Sequence, residues 1–197
     1  PGAFLDLTAR LIAQGISAPL GQPAIVENRG SAVIGELLAK AQPDGYTLAL
    51  GGGTLWLTQL TQKTSYDPVK DLAPITTAVT YPYVLVMNPS VPANTVKELI
   101  DLAKAKPGVL NYAASADPGA ASFLSGELFK AMAGVNIVRV GYKGSAQSLI
   151  AVMSGETQFM FVAPAVAMSN AKSGKLKALV VTSLEPTPLV PGLPTLA

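Results

Sequence analysis

Apolar positions along this chain recur at two alternating spacings, helix-like and strand-like, the pattern of a mostly parallel α/β sheet. From residue 3 to 18, Phe4, Leu7, Leu11, Ile12 and Ile16 form one helical stripe, closed by Pro19 and Gly21. Residues 24–27 read as a short strand. Gly30-Ser31 opens a helix carrying Ile34, Leu37 and Leu38 that stops near Pro43. Asp44-Gly45 then turns the chain into a strand at 46–50. Gly51-Gly52-Gly53 breaks that strand, and Thr54 caps a helix through Leu60.

Residues 66–74 read as loop. Residues 75–87 are long, extended and interrupted by Pro82, which suits a segment crossing between two lobes. Thr95 and Glu98 have capping-box spacing, and Lys106-Pro107-Gly108 ends the helix they open. Strands are then expected at 109–114, 137–140, 158–162 and 176–182. Helices are expected at 122–132, 144–153 and 164–172, with 115–121 a loop of small residues. After Ser183 the chain is proline-rich, with Pro186, Pro188, Pro191 and Pro194. The expected division is a first lobe at 1–80, a second at 81–183 and a segment at 184–197 returning to the first. Crossings near 80–83 and 182–186 would join the lobes by paired strands, a hinge architecture.

Composition narrows the chemistry. The 197 residues are 49% hydrophobic and only 13% charged, with a formal net charge of +2. Such a chain readily builds a core, and its small charge disfavours nucleic-acid binding through a basic patch. Cys and His are both absent. That removes disulfides, thiolate nucleophiles, His-based triads and the usual zinc and iron ligand sets. The longest uncharged stretch, 72–96, contains Pro74, Pro82, Pro89 and Pro92, which rules it out as a membrane-spanning helix.

Motif matches are weak. Gly30 and Gly35 have phosphate-loop spacing, but Glu36 stands where a lysine is required. Gly51-Gly52-Gly53 lacks the third spaced glycine of a dinucleotide loop and the acidic residue at ribose distance. Ser169-Asn170-Ala171-Lys172 satisfies S-x-x-K without the partner motifs that such a serine needs, and Lys172 suits the negative end of its helix. The informative feature is a set of strand-to-helix loops built of Gly, Ala, Ser and Thr. They are Gly2-Ala3, 51–54, 115–122, Gly144-Ser145 and Ala163-Pro164. Small side chains let an anion reach backbone N–H groups at helix N-termini, on the carboxyl edge of a parallel sheet. The same residues would equally permit close helix–sheet packing.

Taken in order, the segments Pro1-Gly2 with Asp6, Val26-Glu27-Asn28-Arg29, Pro43-Asp44-Gly45-Tyr46-Thr47-Leu48 and Tyr66-Asp67-Pro68 make the sequence resemble a known family. So do Val91-Pro92, Lys106-Pro107-Gly108, Gly126-Glu127-Leu128-Phe129 and Tyr142-Lys143-Gly144-Ser145. The chain resembles the extracytoplasmic solute receptors of the tripartite tricarboxylate transporters, the Bug proteins. The resemblance implies a type II periplasmic binding protein fold of two lobes joined by crossing strands. It further implies a small carboxylate-bearing ligand, delivery to membrane permease subunits, no cofactor, no metal, no catalytic residues and a periplasmic location. Carried onto this chain, the ligand-binding residues are Gly2, Ala3, Asp6, Gly51, Gly52 and Gly53 in the first lobe. Those of the second are Ser115, Gly119, Ala120, Phe123, Val162 and Ala163.

The chain departs from the family at three places. The stretch after Arg29 is short, Phe123 stands where many members have His, and Val162 stands where an Asp is common. Without the polar groups of that His and Asp, the resemblance implies a ligand with a less polar, aromatic or aliphatic, distal part. Binding of short dicarboxylates such as malate alone would contradict that expectation. An opening strand before Pro1 and elements after Ala197 are also missing relative to the family, so an incomplete first lobe with an exposed sheet edge is expected. The alternatives are a small-molecule hydrolase, which would rely on Ser, Lys or carboxylates, and a ligand-sensing interaction module on a similar α/β scaffold.

Overall fold

The computed structural model describes residues 4–60 and 63–196, so Gly2 and Ala3 lie outside the described residues. The chain forms two compact units, residues 1–75 and 76–197.

In the first unit, α1 (Phe4–Leu20), α2 (Ser31–Lys40) and α3 (Gly53–Leu57) follow the apolar stripes, and Thr58–Leu60 adds one 3-10 turn. Leu55, Tyr66 and Leu72 form its buried centre, with Ile34, Leu38 and Ala39 packed around them. The Tyr66 hydroxyl donates to the Leu55 carbonyl at 2.8 Å, and its ring occupies the space a Cβ on Gly35 would need. The strands expected at 24–27 and 46–50 are not formed, and no strand occurs among the described residues of this unit. The reason is non-local: an extended segment becomes a strand only when a neighbour takes its backbone groups. Ile25 and Tyr46, apolar as the periodicity requires, stay 84% and 86% exposed.

The second unit is a layered α/β structure around one five-stranded sheet. Its elements are β1 (Val84–Met87), α4 (Val96–Ala105), β2 (Asn111–Ser115), α5 (Ala121–Ala133) and β3 (Val138–Tyr142). There follow α6 (Ser145–Ser154), β4 (Phe159–Val162), α7 (Pro164–Lys172) and β5 (Lys177–Val181). Spatial order is β3-β2-β4-β1-β5. β2 runs parallel to β3 and β4, whereas β1 is antiparallel to both β4 and β5. Four strands therefore run one way and β1 alone runs back, so the expected crossing segment ends in an inverted central strand.

Both faces of the sheet are covered, which is why β1 and β4 read as unbroken apolar runs. Leu85, Met87, Tyr112, Phe159 and Phe161 point to one core with Leu99 of α4 and Phe129 of α5. Val84, Val86, Ala113, Met160 and Val162 point to the other with Val152 of α6 and Ala167 of α7. Glycines in the left-handed region, Gly134 (φ 61) and Gly155 (φ 82), close α5 and α6 at the ends expected from the sequence. Residues 184–196 pack on this unit: Val190 is buried in its second core and Thr195 bridges Val181 in parallel.

Candidate functional site

The topology brings three loops to one rim of the second unit's sheet. β2, β3 and β4 are parallel, so their carboxyl ends, Ser115, Tyr142 and Val162, share an edge with the starts of α5, α6 and α7. Because β1 is inverted, Tyr83 enters at the same edge. There its N–H donates to the Thr182 hydroxyl at 2.8 Å while its carbonyl accepts from Thr182 N, also at 2.8 Å. Tyr81 stacks on Tyr83 at 5.7 Å. Burial, with Tyr81 beside it, pushes the Tyr83 phenol well above the usual tyrosine range, so it stays protonated.

The two rims of the sheet differ in how their backbone is satisfied. At the amino rim, Thr95 Oγ1 caps α4 by accepting from Glu98 N at 3.1 Å, and Glu98 Oε2 reaches back past the N-cap to accept from Asn94 N at 2.7 Å. Lys177 Nζ donates to the Val91 and Ala93 carbonyls and to Asn94 Oδ1. The buried Asn88 amide donates to the Val152 and Met153 carbonyls at the end of α6, and its oxygen accepts from Ser90. At the carboxyl rim, the N-cap positions are Ala120, Gly144 and Ala163, and among the described residues no side chain caps any of the three helices. The first-turn N–H groups of α5, α6 and α7 are left for whatever anion or water meets them.

The loop at 115–120 uses its own donors internally. Ser115 N donates to Ser122 Oγ at 3.2 Å, Asp117 N to Ser115 Oγ at 3.1 Å and Gly119 N to Asp117 Oδ1 at 3.0 Å. Ala116 N and Ala120 N donate to the Tyr142 and Asp117 carbonyls. Ser115, Gly119 and Ala120 thus shape the rim, and the uncapped N–H groups belong to Ala121, Ser122 and Phe123 just beyond them. Val162 is 4% exposed and packed in the second core, so its side chain builds the sheet, while Ala163 begins α7 at the rim.

Phe123 packs on the first core, and the guanidinium of Arg139, on β3, lies over its ring at 4.7 Å from the centroid. Arg139 Nη1 also donates to the Ser115 carbonyl at 3.3 Å. Sequence reasoning missed Arg139 because an isolated arginine in a strand looks like an outward-facing surface residue. On α5, Glu127 accepts from the Tyr112 hydroxyl at 2.6 Å and from Lys130. Burial pushes the Glu127 carboxyl up, but those two hydrogen bonds and the charges of Lys130 and Arg139 outweigh it and hold it below the ordinary value.

In the first unit, Asp6 is buried in the first turn of α1 and pairs with Arg10 Nε at 3.1 Å. Arg10 in turn reaches Asn28 Oδ1 at 3.4 Å. Gly51 is small for a packing reason: a Cβ there would come within 2.8 Å of the Leu55 side chain, which belongs to the unit's core. Gly52, the uncapped N-cap of α3, has only Leu5 Cδ1 near its missing Cβ, at 3.8 Å, and Gly53 is exposed. Ser169 and Lys172 are both exposed on α7, and no hydrogen bond joins them among the described residues. No described helix is long and apolar enough to cross a membrane.

Residues 8–197 match the family model of the tripartite tricarboxylate transporter family receptor, TctC. A curated relative from Bordetella pertussis, a UPF0065 protein, is 38% identical over 188 residues, covering 92% of this chain and 57% of its own length. A second from the same organism, the protein BugT, is 33% identical over 203 residues, covering all of this chain and 62% of its own length. The structure is similar to that of Rpa4515 from R. palustris with adipate, with a TM-score of 0.87 and 34% identity over 98% of this chain and 66% of that one. It is also similar to the periplasmic binding protein BugD, with a TM-score of 0.79 and 29% identity over 99% of this chain and 66% of that one. The chain spans about three fifths of the length of the curated relatives it matches.

Proposed function

The chain belongs to the tripartite tricarboxylate transporter receptor family, and from that premise we propose that it captures a small carboxylate-bearing metabolite in the periplasm for delivery to membrane permease subunits. The observation that supports this reading is the contrast between the two rims of the second unit's sheet. The helix starting at the amino rim is capped by a side chain, whereas among the described residues all three at the carboxyl rim are uncapped. A carboxylate is what such helix starts attract, through unpaired N–H groups and the positive end of the dipole. Each hydrogen bond to a charged group contributes roughly 1.5–3 kcal/mol, and a micromolar ligand needs about 8 kcal/mol in all. About three to five such bonds reach that figure before the entropic cost of association. The neighbouring structure solved with adipate favours the same ligand class.

Binding without turnover is the expected behaviour. The exposed Ser169 and Lys172 show no activating contact among the described residues, and the described rim offers no nucleophile paired with a base. A thermal-shift screen of the whole chain against mono- and dicarboxylates tests this, with product formation assayed on every hit. A ligand at about a hundred times its Kd should stabilise the protein by about 2.7 kcal/mol. Turnover abolished by Ser169→Ala would establish a hydrolase instead, and no stabilisation by any carboxylate would refute the receptor reading.

A further inference from the structure

We propose that Arg139 is a ligand-contacting cation that reads a negative group at the far end of a ligand whose middle is apolar. This rests on the carboxylate-receptor reading and deepens it. The guanidinium is held in place at the carboxyl rim, across the Phe123 ring on one side and against the Ser115 carbonyl on another. The strand leaves it room, because a Cβ on Gly141 would come within 3.0 Å of Arg139 Nη1 and 3.3 Å of Ala116 Cα. Both neighbours mark the rim: Ser115 ends β2 and Phe123 lies in the first turn of α5.

Most of its donors are still available. A guanidinium carries five N–H groups in a fixed fork suited to a carboxylate. Among the described residues, Arg139 uses one of them, in the bond to Ser115, and forms no ion pair with a carboxylate. Glu127, the acidic group on the facing helix, already accepts from Tyr112 and Lys130. Arg139 is half-buried, and its charge is felt by Glu127 without an ion pair between them, so the rest of its fork is open to a ligand or to water. The adjacent surface is the hydrocarbon ring of Phe123, so the local chemistry is an apolar wall ending in a positive charge. The ligand that fits is a chain or ring longer than malate with a carboxylate at its distal end, so the apolar part expected distally from Phe123 and Val162 would be its middle instead. Phe123 would pack along the middle of such a ligand, and the cation laid over the same ring would meet its end.

Isothermal titration of the whole chain with adipate, hexanoate and malate tests the assignment in wild type, Arg139→Gln and Arg139→Lys. Wild type should prefer adipate to both others. Arg139→Gln should weaken adipate about tenfold or more and leave hexanoate within about twofold, since only adipate presents a second carboxylate to the missing fork. Arg139→Lys should keep part of the preference and serves as the informative variant if the glutamine protein does not fold. Equal losses for adipate and hexanoate, or no loss for either, would make Arg139 purely structural and overturn the proposal, as would a wild-type preference for malate. Cooperatively melting wild-type protein that binds none of the three would overturn the proposal alone, because the receptor reading falls only if no carboxylate in the thermal-shift screen stabilises the chain.

Discussion

Gly126 lies within α5, where helix propensity alone says that alanine should stabilise by about 1 kcal/mol. The structure reverses the sign. A Cβ on Gly126 would fall inside the ring of Tyr112, a side chain with no exposed surface. That ring has nowhere to go: it stacks on Phe159 at 5.7 Å, and its hydroxyl donates to Glu127 at 2.6 Å. Overpacking of a filled core costs about 1–3 kcal/mol, and a clash with ring atoms fixed on both sides belongs at the upper end. Subtracting the propensity gain leaves a net loss of about 2 kcal/mol for Gly126→Ala. For a chain of this length that lowers Tm by about 4–8 °C, read by circular dichroism. The same substitution in a Tyr112→Leu background should cost clearly less, because the ring it strikes is gone. A raised Tm in Gly126→Ala, or an identical loss in both backgrounds, would refute the reasoning.

Other expectations follow from the same packing and hydrogen bonds. Asn88→Ala removes the amide donor to the Val152 and Met153 carbonyls, of which Val152 keeps Gly155 N, and the acceptor of the Ser90 donors, so urea unfolding should show a loss of about 1–3 kcal/mol. Thr95→Ala removes the cap of α4 and should cost about 1 kcal/mol in the same assay, whereas Ser145→Ala, at an uncapped start, should cost a few tenths at most. Gly35→Ala drives a methyl group into the Tyr66 ring and should lower the thermal transition seen by Trp56, the chain's single tryptophan, which adjoins the first unit's core residue Leu55 in sequence. Glu127 has its folded-state pKa lowered below its ordinary value of 4.5, so its stabilising share is present above that pH and is lost as pH falls through the lower folded value. Acid titration followed by circular dichroism should show that loss, and it should shrink in Glu127→Gln.

Much of the second unit was legible residue by residue, because its signals are local. Thr95 with Glu98 announced α4, and Gly134 and Gly155 closed α5 and α6 in the conformation only glycine adopts easily. The apolar run at 159–162 lies in an expected strand, whereas 84–87 is expected only as the end of an extended crossing segment, and coverage on both faces explains why both are unbroken. The first unit shows the limit of that approach. Its segments at 24–27 and 46–50 have strand-like sequences, yet pairing depends on a neighbour elsewhere in the chain, which periodicity does not report. The inversion of β1 and the packing of residues 184–196 on the second unit are non-local in the same sense.

The candidate rim was legible as a cluster of small residues at the ends of strands. Which N–H groups stay open was not, because the acceptors that occupy the loop, Ser122 Oγ and Asp117 Oδ1, are indistinguishable in sequence from any surface serine or aspartate. Arg139 escaped for a related reason: its meaning comes from Phe123, sixteen positions earlier and on a different element.

The unequal treatment of the two edges of the sheet has an evolutionary consequence. One margin is bolted down by Lys177, Asn88 and Thr95, so exchanges there are paid for in foldedness. The helix starts on the opposite margin carry no side-chain cap among the described residues, so replacements at those positions can retune selectivity while the scaffold persists. A lineage of such molecules can therefore diversify its cargo by drifting at a few turn positions, without first accumulating compensatory changes beneath them.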